Sequence, residues 1–236
     1  SFLKGMLAGL VGAFLLSGCG GGGDAAPQQA ASAPAAAPKT VKIEAYGDST
    51  MWGQDGAQPP VIQASVTQPS SAQAALQAGY GQTVTVVNEG VPGTNAANLI
   101  NGTDGKHLPW QQLMANSTAQ IVAINFCIND AYLANNESPE QYRALLVQII
   151  DIALGAGKTI FLVEPNMIND PVNRPNMAAY VTVMRDVAAA TNTPLVPNYA
   201  YPAVTPDNIH PTAATYAAMG ERMAAVMWST VAAMRQ

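Results

Sequence analysis

The chain is poor in the groups on which metal, thiol and nucleic-acid chemistry rest. It holds two cysteines and two histidines, and nowhere do His, Cys and Glu cluster at metal-ligand spacing, so no metal and no cofactor is expected. Charge is scarce as well. Ten Lys and Arg against fifteen Asp and Glu leave a net charge of -5 and a pI near 4.8, which argues against nucleic acid as a partner. No Gly-x-Ser-x-Gly motif occurs, which disfavours the strained strand-turn-helix serine of an α/β-hydrolase. No Gly-rich phosphate loop is present either, since the run Gly20 to Gly23 belongs to low-complexity sequence. There is no repeat of solenoid type. What the chain does have is 236 residues, 49% of them hydrophobic, enough to bury one substantial core.

The N-terminal region reads as an appendage to that core. Lys4 precedes an apolar run at residues 6–16 that is too short and too Gly-rich for a membrane span and reads as the apolar stretch of a signal peptide. It ends in Leu16-Ser17-Gly18-Cys19, which resembles the lipobox of bacterial lipoproteins, where cleavage leaves the cysteine as a lipid-bearing N-terminus. Several acyl chains on Cys19 would anchor the protein stably, whereas a single chain binds membrane only marginally. With Cys19 lipidated, Cys127 has no partner for an intramolecular disulfide. Residues 20–38 are Gly, Ala, Pro and Gln with little else, a composition that cannot order itself. The expected organisation is a lipoprotein signal peptide at 1–18, a lipidated cysteine and flexible linker at 19–40, and a folded domain at 41–236. The expected location is the bacterial cell envelope, lipid-anchored. Gly20 rather than Asp after the cysteine favours the outer membrane under enteric-type sorting, with the membrane face left open.

Strand-like and helix-like segments alternate along the folded domain. Residues 41–46 (VKIEAY) alternate and run into Gly47-Asp48, predicting a strand followed by a sharp turn; 83–87 (TVTVV), 121–126 (IVAINF) and 159–163 (TIFLV) are short β-branched or apolar runs suited to a buried parallel sheet. Ser138-Pro139-Glu140-Gln141 opens a helix with an N-cap, Pro at the first position and a reciprocating Gln. Helices are also expected over 175–190 and from about Pro211 to Met234, with a short strand at Leu195-Val196. This pattern predicts a three-layer α/β/α sandwich with a doubly wound parallel sheet, in which ligands bind beyond the carboxyl ends of the strands.

Four blocks fall at those ends: Gly47-Asp48-Ser49-Thr50, Asn88-Glu89-Gly90-Val91-Pro92-Gly93, Asn129-Asp130 and Asp207-Asn208-Ile209-His210. Acyl transfer needs a hydroxyl, an imidazole to take its proton and preorganised donors for the oxyanion. Ser49 is the candidate nucleophile and His210 the candidate base, its imidazole neutral enough near pH 7 to accept a proton. Asp207, three residues before it, would in a helical turn share its side and fix the ring tautomer. As a structural alternative Ser49 caps the helix after the turn. Its backbone N–H at a helix N-terminus would also point at an oxyanion. His107, in the loop 102–109, is expected to be merely exposed, with contact to substrate as the lesser alternative. Trp52 and Trp110 are possible substrate-pocket residues, with core packing as the equal alternative.

In order and spacing the blocks resemble those of the SGNH (GDSL-type) hydrolase superfamily, over roughly Lys42 to the C-terminus. The resemblance implies an esterase with a three-layer α/β fold. It implies Gly93 and the Asn129 amide as oxyanion donors beside the Ser49 N–H. Two departures stand out: Pro92-Gly93-Thr94 replaces the more usual Ser-Gly-Asp, and Cys127 stands where the third block usually opens with glycine. Cys127 reads as a small buried hydrophobe that can narrow the acyl pocket. The expected protein is thus a serine ester hydrolase acting on a small-molecule or glycan ester, with short-chain groups such as O-acetyl ranked first. Lysophospholipase, thioesterase or aryl-esterase specificity is the alternative, and a non-catalytic glycan-binding surface lipoprotein is the alternative from another class.

Overall fold

A computed structural model describes residues 37–236. The signal peptide read at 1–18, the lipid site at Cys19 and nearly all of the linker read at 19–40 lie outside the described residues.

Five parallel strands, β1 (Val41–Gly47), β2 (Val84–Asn88), β3 (Ile121–Asn125), β4 (Thr159–Val163) and β5 (Leu195–Val196), form one sheet in the order β2-β1-β3-β4-β5. The helices are α1 (Ser49–Trp52), α2 (Gln68–Tyr80), α3 (Ala96–Asn101), α4 (Trp110–Asn116), α5 (Pro139–Gly155), α6 (Met177–Thr191) and α7 (Ala213–Met234). Strand periodicity of two divides the core into layers. Ile43, Ala45, Ile121, Ala123, Phe161 and Val163 face one way, onto Ala72 and Leu76 of α2 and Met223, Met227 and Val231 of α7. Val122, Ile124, Ile160 and Leu162 face the other way, onto α3 to α6 through Leu99, Met114, Leu146, Ile150 and Met184. Each fully buried Leu or Met contributes roughly 1.5 to 3 kcal/mol, so either helical layer is a large share of stability. This is the three-layer architecture expected.

Local chemistry sets the helix ends. Ser138 and Gln141 form the reciprocal cap at α5, as the sequence predicts. The last helix begins at Ala213 rather than near Pro211, with Thr212 as its extended cap residue, and α6 starts at Met177 rather than 175. The sequence reading did not identify α2, α3 or α4. In α2 an Ala/Gln-rich face leaves only Ala72 and Leu76 as buried hydrophobics beyond its Pro, a weak periodic signal.

The chain leaves β1 for an outer neighbour, β2, then crosses back to β3 on the other side of β1. Loops therefore diverge between the carboxyl ends of β1 and β3, the switch point where α/β sheets bind ligands. Ser49 follows β1, and Asn129 follows β3.

Candidate active site

Ser49 sits at the first turn after β1, where Asp48 caps α1 by accepting the Thr50 N–H and hydroxyl, each at 2.8 Å. Burial pushes the Asp48 carboxyl up, against the pull of the Thr50 hydrogen bonds. With Asp48 doing the capping, the Ser49 hydroxyl is left free for another partner. Ser49 Oγ lies 2.8 Å from His210 Nε2, and Asp207 Oδ2 lies 2.6 Å from His210 Nδ1.

The turn that carries the pair is not helical. Asn208 has φ +69°, a left-handed residue that breaks any helical path. Asp207 organises the turn itself: Oδ1 accepts the N–H groups of Ile209 at 3.0 Å and His210 at 2.7 Å, so that Oδ2 is presented to the ring. Burial acts to raise the Asp207 carboxyl, but these hydrogen bonds and that of the ring outweigh it and hold it below the usual range. The loop after α1, which the sequence reading missed, touches this turn. Gln54 Nε2 lies 3.3 Å from His210 Nδ1, and a Cβ on Gly56 would stand 2.2 Å from the His210 carbonyl oxygen. The loop after α1 therefore abuts the backbone of the histidine.

The second block brings its two glycines to different tasks. A Cβ on Gly90 would stand 2.2 Å from the Trp52 nitrogen, so Gly90 is there for close packing. Gly93 has φ +79° and open space around it. Among the described residues neither the Gly93 N–H nor the Ser49 N–H has a hydrogen-bond acceptor within the protein. Asn129 is half-buried and gives one Nδ2 hydrogen to the Thr94 carbonyl at 2.8 Å, leaving the other uncommitted. Asp130 braces the third block by accepting the Ala96 N–H at 2.9 Å.

The structure decides between the readings of Trp110 and Cys127 and corrects that of His107. Trp110 does not line a pocket: it is fully buried in the sheet-facing layer, its indole N–H donating to the Ile149 carbonyl at 3.0 Å and its ring edge-on to Tyr46. Cys127 is the small buried hydrophobe expected, 1% exposed beside Tyr142, with burial pushing its thiol well up, and it narrows no open cleft. His107 is not exposed. Its side chain is 7% accessible, with Asp104 Oδ2 2.7 Å from Nδ1 and Glu89 Oε2 3.2 Å from Nε2. Asp104 precedes His107 at the same three-residue spacing as Asp207 and His210, a local signal the sequence reading passed over. Burial acts to lower the His107 imidazole, and the two carboxylates outweigh it and raise it. Its hydrogen bond is the main reason Glu89 is pushed down to about 2. This cluster ties the 102–109 loop to the second block. Trp52 is half-buried, and its carbonyl accepts from Asn88 Nδ2 at 3.0 Å. A depression of about 660 Å³ beside Met114, Asp151, Ile152 and Lys158 contains none of the site residues.

The model of the GDSL-like Lipase/Acylhydrolase family matches residues 45–218. The chain belongs to this family. Membership makes it a carboxylic ester hydrolase, and the matched span runs from before Ser49 to beyond His210. No curated protein matches in sequence. Solved structures of similar fold include an inhibitor-bound aryl esterase of M. smegmatis, at 17% identity and TM-score 0.66, covering 80% of this chain and 99% of that one. A carbohydrate acetylesterase of Sinorhizobium meliloti follows at 15% identity and TM-score 0.65, with 81% and 100% covered. An acetyl xylan esterase of Geobacillus stearothermophilus has 21% identity and TM-score 0.61, with 83% and 96% covered. Identities this low speak for the shared fold.

Proposed function

We propose that the protein hydrolyses short-chain esters, O-acetyl groups on glycans first among them, with Ser49 as nucleophile, His210 as general base and acid, and Asp207 as the orienting acid. The observation that carries this reading is the unbroken chain from Ser49 Oγ to His210 Nε2 at 2.8 Å and from His210 Nδ1 to Asp207 Oδ2 at 2.6 Å. Asp207 accepts the Nδ1–H and so leaves Nε2 as the acceptor that faces the hydroxyl. Ser49 Oγ attacks the ester carbonyl as its proton passes to Nε2, and the charge on the carbonyl oxygen is met by the Ser49 and Gly93 N–H groups and the free Nδ2 hydrogen of Asn129. His210 then protonates the leaving alkoxide, and the acyl-enzyme is hydrolysed when the neutral imidazole activates water.

The glycan esters named for two of the structures of similar fold support a small, polar substrate. One observation favours aryl or longer acyl esters instead. Val61, Leu133 and Val172, on the loops after α1, β3 and β4, are exposed by 56% or more. Anchoring through a lipidated Cys19 in the bacterial envelope belongs to the same proposal.

Release of p-nitrophenol from acetyl, butyryl and octanoyl esters, measured for wild type and Ser49→Ala, tests it. Wild-type turnover that falls by several powers of ten in the variant is expected, because nucleophile and base act as a unit. Turnover retained by Ser49→Ala would end the serine mechanism, and a folded wild type without turnover would favour the glycan-binding alternative.

A further inference from the structure

The segment between β4 and α6 has no regular secondary structure, yet it touches both halves of the site. Toward the histidine turn, the Asn169 N–H donates to the Asn208 carbonyl and Asn166 Nδ2 to the Ile209 carbonyl, both at 2.8 Å. Toward the third block, the Asn173 carbonyl accepts the Leu133 N–H at 3.0 Å, and Arg174 reaches farther in. Arg174 Nε donates to the Ile128 carbonyl at 2.7 Å and Nη2 to Asn129 Oδ1 at 3.4 Å, while Nη1 pairs with Asp170. The guanidinium carbon lies 4.8 Å from the centre of the Tyr132 ring, and the side chain is only 9% exposed.

A carboxamide is nearly symmetric in shape, so its surroundings decide which end is oxygen. Guanidinium has donors only and must face Oδ1; the Thr94 carbonyl accepts only and must face Nδ2. The two partners demand the same orientation. Rotated by half a turn, Asn129 would set oxygen against the Thr94 carbonyl and nitrogen against the guanidinium, with both contacts repulsive. Without Arg174, Thr94 alone would hold one hydrogen, and the plane of the amide would be free to swing.

We infer that Arg174 is the positioning residue of the oxyanion site: it fixes the Asn129 amide, through Oδ1 and through the neighbouring Ile128 carbonyl, so that the second Nδ2 hydrogen is held toward the substrate. This rests on the reading of Asn129 as an oxyanion donor. Lysine is no substitute, because a single ammonium lacks the planar fork that serves Ile128, Asn129 and Asp170 together.

The test is a double-mutant cycle between Arg174→Ala and Asn129→Ala, with kcat and KM for p-nitrophenyl acetate and a thermal melt for every variant. Arg174→Ala is expected to lower kcat about ten- to a hundredfold with KM nearly unchanged, the scale of an Ångström-level misplacement. In the Asn129→Ala background the same change is expected to cost less than about twofold, because the group it positions is already gone. Arg174→Lys keeps a cation for Asp170 and is expected to lose about five- to tenfold in kcat, again only when Asn129 is present. It takes over the cycle if Arg174→Ala does not fold. Equal losses in both backgrounds, or a defect confined to KM, would overturn the inference while leaving the esterase reading intact. A folded wild type with no turnover of any ester would overturn both.

Discussion

Replacing Asp207 by asparagine isolates the orienting role of the acid from its bulk. The carboxylate uses both oxygens: Oδ1 accepts two backbone N–H groups at 3.0 and 2.7 Å, and Oδ2 accepts the Nδ1–H of His210 at 2.6 Å. Asparagine offers only one oxygen. If that oxygen keeps the two N–H groups of the turn, the amide nitrogen confronts Nδ1 and forces the ring into the tautomer with its proton on Nε2, which cannot accept from Ser49. If the oxygen keeps Nδ1 instead, the nitrogen opposes two backbone donors, forfeiting two hydrogen bonds worth about 1 kcal/mol each. The first arrangement is therefore favoured, and Gln54 Nε2 at 3.3 Å from Nδ1 adds a donor that an acceptor nitrogen would welcome. Asp207 is 39% exposed, so water relieves part of the mismatch. A loss of about three to four powers of ten in kcat is expected, roughly 4 to 5.5 kcal/mol of transition-state stabilisation. KM for p-nitrophenyl acetate should stay near wild type, since the ground-state ester makes no contact with the acid. An Asp207→Asn enzyme within tenfold of wild-type kcat, with an unchanged melting temperature, would refute the tautomer argument.

Other expectations reach beyond the reacting atoms. Gly56→Ala places a methyl group 2.2 Å from the His210 carbonyl oxygen, so either the loop or the turn must move; kcat should fall about ten- to a hundredfold, and normal kinetics in a folded variant would show that the loop yields instead. Glu137, pushed up to about 7 by burial and with Oε1 unpartnered, binds its proton more tightly folded than unfolded. Its contribution to stability is therefore full below about pH 4.5 and lost as pH rises through 7, about 3 kcal/mol before solvent screening and about 1 to 2 after it. Glu137→Gln should flatten that part of the pH-dependence in denaturant melts from pH 5 to 8, and parallel curves for the two proteins would exclude the assignment. Cys19→Ser should move the protein from the detergent phase to the aqueous phase, since its acyl chains are the proposed anchor; a cleaved variant that stays with the membrane would rule this out.

Much of the fold was legible because its signals are local. The β-branched runs at 84–88 and 159–163 have no other stable use than buried strands, and the Ser138 cap announces α5 within four residues. The pairing of Asp207 with His210 was legible for the same reason, although the left-handed Asn208 that shapes it was not. Cys127 proves the small buried hydrophobe expected and Trp110 takes its core-packing alternative, so only their possible pocket roles fail. Only Ile128 separates Cys127 from Asn129, but the chain turns there, and the thiol joins the buried core while Asn129 stays half-buried. Arg174 was illegible because its partners Ile128 and Asn129 stand 46 and 45 residues away and an isolated arginine on a loop resembles any solvated charge. Gly56 meets a carbonyl across a still longer separation, and no pattern announces such a contact.

The scarcity of charge in this chain bears on how the site is held together. Hydrolytic geometry demands tolerances of a few tenths of an Ångström, yet its groups ride on loops, the least stable parts of a fold. Ion pairs would fasten those loops at the cost of desolvating each charge and would loosen them as pH changed. Carboxamides avoid both penalties, since each offers donors and an acceptor without titrating. They are what the loops use: Asn166 on Ile209, Asn129 on Thr94, Asn88 on Trp52 and Asn135 on Asn129. Charged fasteners also occur, among them Arg174 with Asp170 by the third block and His107 between Asp104 and Glu89 by the second, each held by at least two partners. A neutral amide has no proton to gain or lose, so each of these contacts keeps its donor and its acceptor.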